Sequence, residues 1–250
     1  MTQRAQWLIS KIAIWCGIFY GIFFIVFWYG FGHFWYPIQP WFSLEQITEW
    51  MDANRSFYIF GVAITMIGAS FHIPWTAYVG LKMAEVEGKF PLLAVIQIIG
   101  GTLTVAVLSF PLGMWLAVSY FPDTSPEIMR TINGMSWLCF DMTYALTTVQ
   151  NYAFGICFLM DKRPQPLFPR WIAWWSILAG TLYLLITGMA FTHSGLFCWY
   201  GALAYWIPYS PWIVWFMVAS GYMIKDVNRQ MRSEHAGVKE TEMAYAAQKE

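Results

Sequence analysis

Six stretches of this chain stay apolar for about 20 residues or more, the length an α-helix needs to cross the hydrocarbon core of a bilayer. Lipid offers backbone N–H and C=O groups no partner, so a run of that kind must satisfy its hydrogen bonds within itself, and no period-two strand pattern competes with the helical one. The expectation is an all-α polytopic membrane helical bundle of six transmembrane helices. The spans fall near 11–35, 57–82, 91–120, 130–160, 170–191 and 199–224. Residues 1–225 then form one transmembrane domain, and 226–250 a polar, charged tail on the cytoplasmic side.

Composition agrees with this reading. The chain is 58% hydrophobic and only 11% charged, against about 25% charged in an ordinary soluble domain. Zero formal net charge, with no Lys/Arg tract inside the apolar part, removes nucleic acid as a partner. Cys16, Cys139, Cys157 and Cys198 stand singly, without metal-site or disulfide-framework spacing, and read as small buried hydrophobes. The first apolar run lacks a small-residue cleavage site before Gly30 and reads as a retained span.

Basic residues set the orientation. Arg4, Lys11, Lys82, Lys89, Lys162, Arg163, Arg170, Lys225, Arg229, Arg232, Lys239 and Lys249 collect on one side, and only Arg55 and Arg130 on the other. Lys and Arg are retained in short cytoplasmic loops, so both termini are expected in the cytoplasm. Between the first two spans, Ser43 and Gln46 have the spacing of a capping box. Leu44, Ile47, Trp50 and Met51 then recur at helical spacing opposite Glu45, Glu49 and Asp52, which predicts a short amphipathic outer interfacial helix.

Asp141 is the one acidic residue in the interior of any of these runs. A carboxylate at that depth costs several kcal/mol unless it is paired, protonated or facing water, which makes it a candidate functional group. Projected at about 100° per residue, Asn133, Trp137, Tyr144, Thr148 and Asn151 share its face, while Gln150 falls opposite and points to protein neighbours on a second side. The stripe reads either as a polar path, with Asp141 as proton acceptor, cation partner or ligand anchor, or as an interhelical seam in which Asp141 bonds Tyr144, Trp137 or a neighbouring His.

His72 lies near the middle of the second span, two residues before Pro74, which cannot donate to Ser70 and should kink the helix. It is placed about 10 Å from Asp141 in depth, so a direct bond is not expected. Pro111, Pro208 and Pro211 predict further kinks that free backbone carbonyls. His33 and His193, both at outer span ends, are weak metal candidates because no third ligand stands near either. No cofactor is indicated: the chain has neither a Gly-rich phosphate loop nor a Gly-x-Ser-x-Gly elbow.

The segments Ser43-Leu44-Glu45-Gln46-Ile47 and Asn54-Arg55, the turn Glu87-Gly88-Lys89-Phe90-Pro91, Phe168-Pro169-Arg170-Trp171, and Gly195-Leu196-Phe197-Cys198-Trp199-Tyr200-Gly201 with Pro208 resemble a set of uncharacterised bacterial polytopic inner-membrane proteins. The resemblance covers most of the chain and rests on loop and boundary features. It implies a multi-pass protein of the bacterial inner (plasma) membrane and no particular reaction.

Three functions fit. The first is binding or transport of a small weakly polar or apolar compound through a cavity lined by the polar face of the fourth span. The candidate substrate-binding or proton-relay residues are Asp141, His72, Asn133, Trp137, Tyr144, Thr148 and Asn151. The second is an accessory subunit that meets membrane-protein partners or a second copy of itself through that face. The third, an intramembrane enzyme acting on a lipid-soluble substrate, needs Asp141 and His72 at one depth.

Overall fold

The computed structural model describes the backbone of residues 2–247 and the side chains of residues 2–233; His235 and the rest of the polar tail's side chains lie outside them. Eight α-helices run in chain order: α1 (Gln3–Phe23), α2 (Leu44–Ser70), α3 (His72–Glu87), α4 (Leu92–Tyr120), α5 (Pro126–Asp141), α6 (Ala145–Leu159), α7 (Arg170–Leu182) and α8 (Ile207–Ala247). Among the described residues there is no strand. Four shorter pieces depart from α geometry: π-helical Phe24–Phe31 and Ala202–Trp206, and 3-10 helical Tyr183–Phe191 and Gly195–Phe197.

Among the described residues, five helical stretches are long and apolar enough to cross a membrane: Gln3–Phe31, Leu44–Glu87, Leu92–Tyr120, Arg170–Phe191 and Gly195–Ser233. They are compatible with a multi-pass membrane protein, and the burial pattern agrees. Leu8, Phe110 and Trp174 are 61%, 67% and 58% exposed, whereas His72, Gln97, Asp141 and Gln150 are wholly buried. A soluble monomer rarely shows such apolar patches to solvent. Lipid on the outside and protein polar groups on the inside account for both.

The region expected as one span over 130–160 is two helices. α5 and α6 have 16 and 15 residues, each shorter than the roughly 20 needed to cross alone. At the break, Thr143 Oγ1 donates to the Cys139 and Phe140 carbonyls at 3.0 and 3.1 Å. Tyr144 N–H closes a tight turn on the Asp141 carbonyl. A Thr bonded back in this way competes with the helix for its own acceptors and bends it.

The expected outer interfacial segment is likewise not a separate element. Its capping box forms, with Gln46 N–H on Ser43 Oγ at 3.2 Å and Ser43 N–H on Gln46 Oε1 at 2.9 Å. The helix it starts continues without interruption from Leu44 to Ser70. The interruption comes at Phe71, three residues ahead of Pro74, where the missing proline N–H weakens the ladder.

α4 is the central helix, packed against α2, α3, α5 and α6. Its two ends are satisfied by side chains brought from elsewhere. The Glu87 carboxylate accepts from Leu93 N–H at 2.8 Å and Ala94 N–H at 2.7 Å, and Gly88 at φ 71° makes the turn that permits it. At the other end Arg55 donates to the Ser119 and Phe121 carbonyls at 2.9 and 3.3 Å. One of the two basic residues expected on the outer side therefore closes a helix end.

Candidate functional site

Two buried polar clusters flank a cavity in the middle of the bundle. The first joins α3, α4 and α6. His72 Nε2 and Gln150 Nε2 are 3.1 Å apart, and both Gln150 and Gln97 reach Thr76 Oγ1, at 3.2 and 2.8 Å. Rotating the Gln150 amide by half a turn places its oxygen here, where His72 Nε2–H and the Thr76 hydroxyl can both donate to it. Gly101 makes room for the cluster, since a Cβ there would overlap Thr76 and Gln150.

The second cluster centres on Asp141, at the last turn of α5. The Tyr209 hydroxyl of α8 donates to Asp141 Oδ1 at 2.7 Å, while Oδ2 has no hydrogen-bond partner among the described residues. The Tyr209 ring is stacked on Phe140, at 5.4 Å and 16°, and meets the Tyr183 ring edge-on at 5.4 Å. These rings fix the hydroxyl that meets the acid.

Between the clusters lies a cavity of about 30 Å³, room for water but not for a larger ligand. Tyr20, Tyr144, Tyr183 and Tyr209 line it, together with Thr104, Thr143 and Thr147. Some of these hydroxyls are already engaged: Thr104 and Thr147 are 3.1 Å apart, and Tyr144 is 2.6 Å from Thr187 Oγ1. The Tyr20 hydroxyl has no partner among the described residues, and its ring stands edge-on to His72 at 5.1 Å. Tyr20 thus connects the cavity to the first cluster, and Tyr209 connects it to the second.

Backbone irregularity gathers at the same place. The cavity-lining residues Phe24 and Tyr183 begin the π-helical and 3-10 stretches, Thr143 and Tyr144 form the break between α5 and α6, and Tyr209 follows the second π-helical piece. Such departures recur at hinges and functional sites because the altered bonding leaves the backbone a second arrangement.

The other residues of the polar stripe have separate partners. Asn133 Oδ1 accepts from Trp115 Nε1 at 3.0 Å, and Thr148 donates to the Gly180 carbonyl at 3.1 Å. Asn151 bonds the Thr147 carbonyl and takes a bond from Ser176. These three are in helix seams away from the cavity lining. Trp137 is wholly buried among Trp28, Phe34 and Trp115, and its Nε1 has no partner among the described residues. His72 and Asp141 bond different residues, Gln150 and Tyr209, in line with the expected difference in depth.

His33 is half-buried beside Trp50 and Phe57, while His193 is exposed. Among the described residues no three His, Cys, Asp or Glu converge as a metal site would require. His33 also has φ 54°, the one non-glycine residue in the left-handed region among those described. Tyr209, Tyr20, Gln97 and Thr76 were not among the candidate site residues, although Thr76 shares a helical face with His72 and Gln97 is a polar residue within the third span. Only Gln150, polar on the face away from Asp141, signalled a second polar neighbour.

The chain matches no known protein-family profile, no curated protein and no solved structure.

Proposed function

We propose that this is a six-span membrane protein that binds and passes a small, weakly polar compound at the broken fourth span, with both termini cytoplasmic in a bacterial inner membrane. The observation that carries the reading is the coincidence of a hydroxyl-lined cavity, a buried carboxyl with one oxygen unpartnered among the described residues and a cluster of helix irregularities at one place in the bundle. In this reading α5 and α6 together make the fourth crossing, leading the chain from the end of α4 back to the side of the basic loops. The cavity as it stands is closed to anything larger than water. Passage requires α5 and α6 to shift about residues 142–144, with the Asp141–Tyr209 bond as the contact that holds the closed form.

The accessory-subunit alternative has less to rest on. Asn133, Asp141 and Asn151 are buried against the chain's own residues, so that face is not available to a second protein. An acid–base pair of Asp141 and His72 would require each to leave its present partner.

Reconstitution into proteoliposomes tests the proposal, with proton entry read by a pH-sensitive dye and permeation of glycerol, urea and acetamide read by stopped-flow light scattering. Flux above protein-free vesicles is expected, and it should rise by about tenfold in Asp141→Asn, which loses about 1.4 kcal/mol of the Tyr209 contact that holds the closed form. Flux equal to that of empty vesicles, or unchanged in both Asp141→Asn and His72→Ala, would sink the reading.

A further inference from the structure

A groove of about 580 Å³ lies at the basic end of the bundle, between α8 and the loop that carries Pro166, Leu167 and Pro169. Lys225, Arg229 and Arg232 line one wall. At about 100° per residue these three positions fall within roughly 60° of one another on α8, so the helix presents them as a single basic strip. Asp226 is the one acidic residue in the lining, and its carboxylate is already occupied. Oδ1 accepts from Arg229 at 2.6 Å and Oδ2 from Gln230 at 2.7 Å. Three cations against one engaged carboxylate leave the groove with a formal charge of 3 − 1 = +2.

The strip is also partly organised in advance. Gln165 accepts from Arg229 Nη1 at 2.8 Å while Asp226 holds Nη2, which fixes the guanidinium over the groove. Tyr222, in the lining one turn before Asp226, meets the lipid-facing Trp171 ring edge-on at 6.4 Å. Trp and Tyr prefer the headgroup level of a bilayer. The basic strip is therefore placed where a phosphate headgroup sits, and the adjoining surface is apolar, as acyl chains require.

We infer that this groove is a binding site for an anionic phospholipid, its phosphate held by Arg229, Lys225 and Arg232 and its acyl chains lying along Tyr222 and Trp171. This goes beyond the proposed passage of a compound through the bundle and does not depend on it. A basic residue near a membrane surface contributes about 1 kcal/mol, or about fivefold in affinity, toward anionic lipid.

Native mass spectrometry of the full chain released from nanodiscs of mixed phosphatidylglycerol and phosphatidylcholine tests the assignment. Retention of phosphatidylglycerol over phosphatidylcholine is expected, reduced about fivefold in Arg229→Gln and further in Lys225→Gln/Arg232→Gln. Lys89→Gln, a cation at the same end but outside the groove, should leave retention unchanged. Equal loss in Lys89→Gln, or no preference between the two lipids, would overturn the site. Inorganic pyrophosphate that stabilises the detergent-solubilised protein through Arg229 and fully displaces the lipid would also overturn it, by assigning the groove to a soluble anion. Thermal unfolding of each variant separates loss of lipid from loss of fold.

Discussion

At the end of the bundle that carries Tyr36 and Trp41, Trp28 lies flat on Phe34 at 3.5 Å and 10°, and Trp115, Trp137 and Phe140 close around that pair. Toward the end that carries Lys82 and Lys225 rings also meet between helices, as Trp75 and Phe154 do on Trp215, but side-chain hydrogen bonds there link α3 to α4, α6 and α8, and α6 to α7: Gln150 and Gln97 to Thr76, Ser176 to Asn151, and Trp75 to Ser220 at 2.8 Å. The first region also holds both π-helical pieces, whereas α3, α6 and α7 in the second are regular. Rings fill volume without prescribing backbone geometry, so helices packed by them can unwind locally. Directional bonds between fixed pairs hold their helices in register. The cavity lies at the boundary between the two kinds of packing.

The comparison fails first if the aromatic region does not depend on volume. Trp137→Ala should destabilise by about 3–5 kcal/mol, because the ring is wholly enclosed and its neighbours cannot collapse into the gap; unfolding in detergent with a graded denaturant measures it. Gly101→Ala comes next, at about 1–3 kcal/mol, since the added methyl overlaps Thr76 and Gln150 at the densest point of the hydrogen-bonded region. The same assay reads it, and a value near zero would mean that this region is looser than its bonds suggest.

Gln150→Leu should cost only about 1 kcal/mol, because interhelical hydrogen bonds in membranes contribute modestly and the leucine refills the space. A loss as large as that of Trp137→Ala would remove the distinction between the regions. The smallest effect belongs to the basic end. Burial pushes the Asp161 carboxyl up, but the Arg163 guanidinium and backbone N–H prevail and hold it below the ordinary carboxylate range. The stability from a depressed acid is present above its unfolded value, near about 3.9, and is lost as pH falls through the folded value. With Arg163 over a third exposed, that contribution is a few tenths of a kcal/mol after solvent screening. Melting curves of the wild type should therefore be flat from pH 7 to about pH 5 and fall slightly further than those of Asp161→Asn below about pH 4.

Five membrane-length helices could be read from the apolar runs, because a bilayer permits so few backbone solutions. The Ser43 and Gln46 cap and the interruption ahead of Pro74 were legible too, since local chemistry determines both. The break after Asp141 was not. It contains neither glycine nor proline, and Thr143 achieves it with a backbone bond that any mid-helix threonine is free to make or decline. Asp141 marked itself by its charge, but its partner Tyr209 is 68 residues away on a helix whose rotation depends on an irregular piece just before it. Similarly, Tyr20 looks like one more belt aromatic in the sequence, and only the packing of α1 against α3 and α8 turns its hydroxyl to the cavity.

α8 runs unbroken for 41 residues, from just before Tyr209 to beyond the bundle's basic end. A helix is stiff over such lengths, and from Pro211 to Arg232 it extends about 30 Å. It therefore works as a lever with its short arm at the acid: a swing of about 10° near Tyr209 would carry the tip at Arg232 through about 5 Å. Mechanical gain of this kind turns a rearrangement too small to admit a single ring into a displacement that a fluorophore, a spin label or another protein at the membrane surface can register.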